Sequence, residues 1–141
     1  MLQRIQTIWL LLAAACGFSM YKVSIFEAAL ANNVIYKLSA TESLLLFAVL
    51  MSVACLSLIA IFLFKNRPLQ SKIVLISILL SIAAIALEVW QIEKYKSSAT
   101  ITKGTYEFGG LLPIVMTIFL ILAARGIRKD EKLVKSLDRL R

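Results

Sequence analysis

Residues 44–64 contain no charged side chain over 21 positions, and at roughly 1.5 Å per residue a helix of that length covers about 32 Å, the thickness of one bilayer hydrocarbon core. Such a run cannot be placed at the surface of a water-soluble fold, so it fixes the solvent as well as the secondary structure. A second block, 73–92, is similar and carries one ionisable group, Glu88, near its far end. Two shorter blocks, 5–21 and 108–124, reach about 26 Å each, enough to cross where flanking polar residues extend to the interface. Composition agrees: 60% hydrophobic residues and a mean hydropathy of +0.86 exceed the roughly 45–50% apolar content of soluble domains. The 141 residues therefore predict one all-α membrane domain, a four-transmembrane-helix antiparallel bundle, with residues 125–141 as a tail.

Orientation follows from the basic residues, because short cytoplasmic loops are enriched in Lys and Arg. With both termini inside, Arg4, Lys65, Arg67, Lys72, Arg125, Arg128, Lys129, Lys132, Lys135, Arg139 and Arg141 are cytoplasmic. Lys22, Lys37, Lys94, Lys96 and Lys103 are outside, a bias of eleven to five. Asp130, Glu131 and Asp138 lie inside and the other five glutamates on or near the outer side, so the net charge of +8 is cytoplasmic. Tyr21, Tyr36, Tyr95, Tyr106 and Trp90 fall at the outer interface and Trp9 at the inner one, as an aromatic belt requires. The first block also has a signal-like element, Arg4 before an apolar stretch that contains Ala13-Ala14-Ala15-Cys16. A lipoprotein cleavage box wants a larger aliphatic residue where Ala13 stands, so an uncleaved anchor is expected.

Between helices in lipid, small residues mark the faces that approach closely. Ala13 with Gly17, Ala48 with Ser52, and Ser77 with Ser81 are spaced for this and are expected to face inward. Ser39 and Glu42 read as a capping box opening the second span, Gly109-Gly110 and Pro113 as the start of the fourth, and Asn66 with Pro68 as a tight inner turn. Residues 34–38 and 100–108 carry β-branched and aromatic side chains. Lys103-Gly104 is spaced to turn a hairpin between Thr102 and Thr105, giving a small outer β-hairpin cap; the alternative is two irregular loops. In the tail, Leu133, Leu137 and Leu140 share one face and charges the others, predicting an amphipathic basic helix that continues the fourth span or bends onto the membrane. Glu131–Lys135, Arg128–Glu131 and Lys135–Asp138 pairs support it.

The chemistry is read mostly by elimination. The chain has no His, which removes imidazole catalysis and the usual zinc and haem ligand sets. Cys16 and Cys55 stand alone within spans and read as packing residues. No phosphate-binding glycine loop or serine elbow occurs, so no catalytic residue, cofactor, metal site or small-molecule substrate is expected. Glu88 is the one candidate intramembrane ionisable site. It is either an interfacial carboxylate, hydrated or paired with Lys22 or Lys94, or a proton or cation site.

Residues 1–7 (MLQRIQT), the turn 64–70 (FKNRPLQ), 109–113 (GGLLP), 127–136 (IRKDEKLVKS) and 138–141 (DRLR) together resemble a family of small Bacteroidota membrane proteins catalogued as domain of unknown function 4293. The resemblance covers the whole length, and it implies four spans in a bacterial inner membrane and no particular activity. The chain departs from the family pattern at Pro68, where a residue with a free backbone amide is expected. These patches all project to the cytoplasmic side, where Arg4 and Arg67 are candidates to pair with Asp130 or Glu131. The expected function is a non-enzymatic scaffold or accessory subunit. Its docking face would be Arg4, Lys65, Arg67, Arg128, Lys129, Lys132, Lys135, Arg139 and Arg141, and its partners anionic lipid headgroups, another membrane protein or a second copy, or the ribosome or another RNA-bearing assembly. The alternative is a small oligomeric transporter or channel using Glu88, Ser52, Ser77 and Ser81. A lipid-modifying enzyme is least supported, since no catalytic pair exists.

Overall fold

The computed structural model describes residues 2–30, 35–98 and 101–138, with side chains for 5–29, 35–97 and 104–133. Four helices, α1 (Leu2–Ser19), α2 (Leu44–Phe62), α3 (Arg67–Ser98) and α4 (Leu112–Asp138), alternate in direction. Each packs on its neighbour in sequence and α1 closes the ring against α4. Two contacts fix the antiparallel sense of that closure: Gln6 near the start of α1 meets Gly126 late in α4, and Gly17 late in α1 meets Met116 early in α4. The core is one continuous apolar cluster that includes Leu10, Leu50, Val53, Met116 and Leu120. Outward, Leu45, Ile59, Phe62, Leu79, Ile82 and Ile118 stand exposed along the same helices, the pattern expected where lipid rather than water covers the bundle.

Three helical segments, Leu44–Lys65, Arg67–Ser97 and Phe108–Leu133, are long and apolar enough to cross a membrane, and Ile5–Ser19 is a shorter apolar helix. Two helices run past the segments expected to span. α3 has 32 residues, beginning directly after residue 66 and continuing past residue 92 through Glu93, Lys94 and Lys96. α4 runs without interruption through residue 138, so the tail continues the helix rather than bending away from it.

The cap of α2 is Ser43, whose hydroxyl accepts from the amide of Leu46, whereas Ser39 caps only the short 3-10 turn Ala40–Glu42 and bonds Thr41 Oγ1 instead. The inner turn is as expected: a 3-10 turn, Leu63–Lys65, then Asn66, whose carbonyl accepts from the Gln70 amide to start α3. Pro68 falls in that first turn, where a missing amide proton is no loss. Of the three small-residue pairs, Ala13–Gly17 and Ser77–Ser81 are buried, with a Cβ at Gly17 falling 2.8 Å from Ala54 Cβ. Ala48 is exposed and Ser52 half-buried, because α2 turns Leu50, Ala54, Ser57 and Ala60 inward instead.

A small sheet does cap one end of the bundle, but it is three-stranded and antiparallel, in the order β2 (Ile35–Ser39), β1 (Ser24–Leu30), β3 (Ile101–Tyr106). Lys103-Gly104 makes no turn. β3 passes straight through it, pairing Lys103 with Ala29 and Gly104 with Ala28, and Gly104 lies against the Phe26 ring. The central strand was not anticipated, since its Ala28-Ala29 pair has low strand propensity; burial of Ile25, Phe26 and Ala28 against the helices holds it in place. Aromatic rings join the sheet to α3. Tyr36 stacks on Tyr95 at 5.2 Å, and Lys96 lies over Phe26 and Tyr106 while donating to the Tyr106 hydroxyl at 2.9 Å. Trp9 stacks on Phe119 at 5.6 Å, joining α1 to α4.

Candidate functional site

The end of the bundle where α1 begins and α4 finishes is organised by a buried carboxylate. Asp130, 6% exposed, projects from late α4 toward α1 and α3. Its Oδ2 accepts from Gln6 Nε2 at 2.6 Å and from the Arg67 guanidinium at 3.2 Å. The expected Arg67 pairing is thus with Asp130. A buried charge this well enclosed is tolerable only when paired and hydrogen-bonded, which the two partners supply. Gln6 was not anticipated. A nearby second tie has Gln70 Nε2 donating to the Ala60 carbonyl at 2.8 Å, one of the last-turn carbonyls of α2 that have no helical partner. Both amides and Arg67 line a groove of about 510 Å³.

The predicted docking residues divide accordingly. Lys65, Arg128, Lys129 and Lys132 are exposed around this end, while Arg67 is drawn in, with 24% of its side chain accessible. The side chains of Arg4 and Lys135, and all of Arg139 and Arg141, lie outside the described residues.

Above this end a polar row follows one face of α3. Gln70, Val74, Ser77, Ser81, Ala84, Glu88 and Ile92 are its buried positions, spaced three and four apart as one helix stripe requires. Ser77 donates to Ile73 O, Ser81 to Ile78 O, and Ser57 on α2 to Val53 O. These local bonds satisfy the hydroxyls within their own helices. Thr117 Oγ1 on α4 lies 3.0 Å from Ser81 Oγ and 2.8 Å from Pro113 O, so α3 and α4 share one polar bond across the core. Ser52, a candidate pore-lining residue, is not in the row; it bonds Val49 O from the half-buried side of α2. Of this row the sequence marks the Ser77–Ser81 pair and Glu88, whereas Ser57 and Thr117, single polar residues in apolar helices, give no periodic signal.

Glu88 stands at the outer end of this row, 4% exposed, against the start of α4, with its Oε1 3.3 Å from where a Gly110 Cβ would sit. That burial does not fit the hydrated form of the expected carboxylate. Lys94 lies over the Trp90 ring. Among the described residues, Glu88 Oε1 and Gln91 Oε1 are the buried side-chain atoms without a hydrogen-bond partner.

On the sheet, Lys37 joins Glu27 at 3.9 Å and Glu107 at 3.6 Å, and the Ser24 hydroxyl donates to Glu107. The Ser24 bond, then the bond to Glu27 and the charge of Lys37, hold the Glu107 carboxyl below the usual carboxylate range. The bond from Tyr36 to Glu42 pushes that phenol up to about 12. Among the described residues no group of three His, Cys, Asp or Glu side chains is placed to hold a metal ion.

An antiparallel four-helix bundle with three helices long enough to cross a bilayer, tied at one end by a buried ion pair and capped at the other by a sheet, defines a membrane-embedded class. Within it, the chain belongs to the family described as a domain of unknown function (DUF4293), whose model matches residues 2–140. No curated protein and no solved structure matches it.

Proposed function

We propose that the chain is a multi-pass protein of the bacterial inner membrane, with both ends in the cytoplasm, that serves as a non-enzymatic scaffold or accessory subunit docking anionic lipid headgroups through its basic inner face. The observation that carries this reading is the Asp130 tie. By joining α1, α3 and α4 through Gln6 and Arg67, it leaves Lys65, Arg128, Lys129 and Lys132 exposed around one rigid end. Each such cation near an anionic surface contributes roughly 1 kcal/mol. The combined variant Arg128→Gln/Lys129→Gln/Lys132→Gln is therefore expected to lose about 3 kcal/mol, roughly a hundredfold, in preference for phosphatidylglycerol over phosphatidylcholine, read by competition of spin-labelled lipids at the protein surface. An unchanged preference overturns the lipid reading. A protein, a second copy or an RNA-bearing assembly recovered in stoichiometric amount from native membranes would identify a docked partner instead. The orientation has its own test: a reporter active only in the periplasm, fused after Arg141, is expected to be silent, and a strong signal overturns the arrangement.

The polar row favours a second reading, a proton or cation path, since the carboxyl at its outer end has an oxygen without a partner. This reading expects ion flux across proteoliposomes that Glu88→Gln abolishes. The scaffold reading expects no flux from either form.

A further inference from the structure

We infer that the groove at the inner end holds the headgroup and first chain segment of one anionic glycerophospholipid; this rests on the proposed docking of anionic lipid and gives it a specific seat. The groove opens between the start of α1, the end of α2 and the start of α3, and its volume of about 510 Å³ falls within the roughly 300–1,000 Å³ of ordinary ligand sites. Its two halves differ in chemistry. Ile8, Ile61, Phe62 and Phe64 make an apolar wall, with Ile8, Phe62 and Phe64 exposed on the side that hydrocarbon would cover.

Gln6, Arg67 and Gln70 make the polar half. Arg67 uses one guanidinium nitrogen on Asp130, and a guanidinium carries five N–H donors in a fork that suits phosphate. Gln6 and Gln70 each use Nε2 inside the protein, on Asp130 and Ala60. Lys65, next in sequence to the lining residue Phe64, is exposed. An apolar wall beside a guanidinium matches an acyl chain beside a phosphodiester. Water-soluble phosphate would use only the guanidinium and leave the Phe62 wall without a partner.

The full chain, purified in mild detergent and loaded with phosphatidylglycerol or phosphatidylcholine, tests this by native mass spectrometry. One phosphatidylglycerol is expected per chain, at least tenfold better retained than phosphatidylcholine and not displaced by saturating inorganic phosphate. Ile8→Trp, which fills the groove from a half-exposed position, and Phe62→Ala, which removes its wall, are each expected to cut retention about tenfold with unchanged unfolding midpoints. Arg67→Gln/Asp130→Asn is expected to cut it as far without leaving a buried charge. The Arg128→Gln/Lys129→Gln/Lys132→Gln variant should keep its lipid. Loss in that variant with retention in the groove variants overturns the seat while leaving surface docking intact. Equal retention of both lipids overturns seat and docking together, and displacement by phosphate overturns the lipid as occupant.

Discussion

Arg67→Ala is expected to lower the unfolding free energy by about 3–5 kcal/mol, because it leaves a carboxylate buried without its charge partner. Asp130 is 6% exposed, and Gln6 alone supplies a dipole where a cation stood. The reverse deletion, Asp130→Ala, should cost less, since Arg67 retains 24% side-chain exposure and can swing toward water or headgroups. Arg67→Gln/Asp130→Asn, which removes both charges and keeps hydrogen-bonding groups, should recover much of the loss. Thermal or denaturant unfolding in mild detergent measures all three. Strictly additive effects of the two single changes would show that the residues do not act as a pair.

Gly109→Ala is the second substitution expected to act strongly, at the opposite end. A Cβ at this position would fall on the Ser24 carbonyl oxygen and 2.7 Å from its carbonyl carbon, and both are backbone atoms of the central strand. The strand or the 3-10 turn Phe108–Leu111 must therefore move, at a cost of about 3 kcal/mol or more. Gly110→Ala is the internal control. Its Cβ would meet the end of a flexible side chain, Glu88 Oε1, at 3.3 Å, so it should cost about 1 kcal/mol or less. Hydrogen exchange of the β1 amides distinguishes them: Gly109→Ala should release the strand and Gly110→Ala should not. Equal protection in the two variants would mean that the sheet is not seated through Gly109.

The helices and the inner turn were legible because each rests on a signal internal to one segment: an uncharged run of 21 residues at 44–64, or the Asn66–Pro68 punctuation. The strands were not, because β1 is stabilised from outside. Ser24–Leu30 lies between β2 and β3 and covers the bundle, so its conformation depends on residues more than 70 positions away, such as Tyr106 opposite Phe26. The cap of α2 was misplaced for a related reason. Ser39 and Glu42 have the spacing of a capping box, but strand β2 extends through Ser39, and Ser43 is the first free residue before the helix. At the candidate site, the charged residues offer Arg4 or Arg67 as partners for Asp130 or Glu131, and the structure pairs Arg67 with Asp130. Gln6 and Gln70 were silent, since a lone amide near a helix end carries no periodicity or charge to mark its bond.

The two ties have a joint mechanical meaning. The sheet links the connection between α1 and α2 to the connection between α3 and α4, and the Asp130 bonds fasten α1 to α4 and α3 at the other tip. A bundle clamped at both tips has no free end about which one helical hairpin can rock against the other. It is built as a strut of constant height.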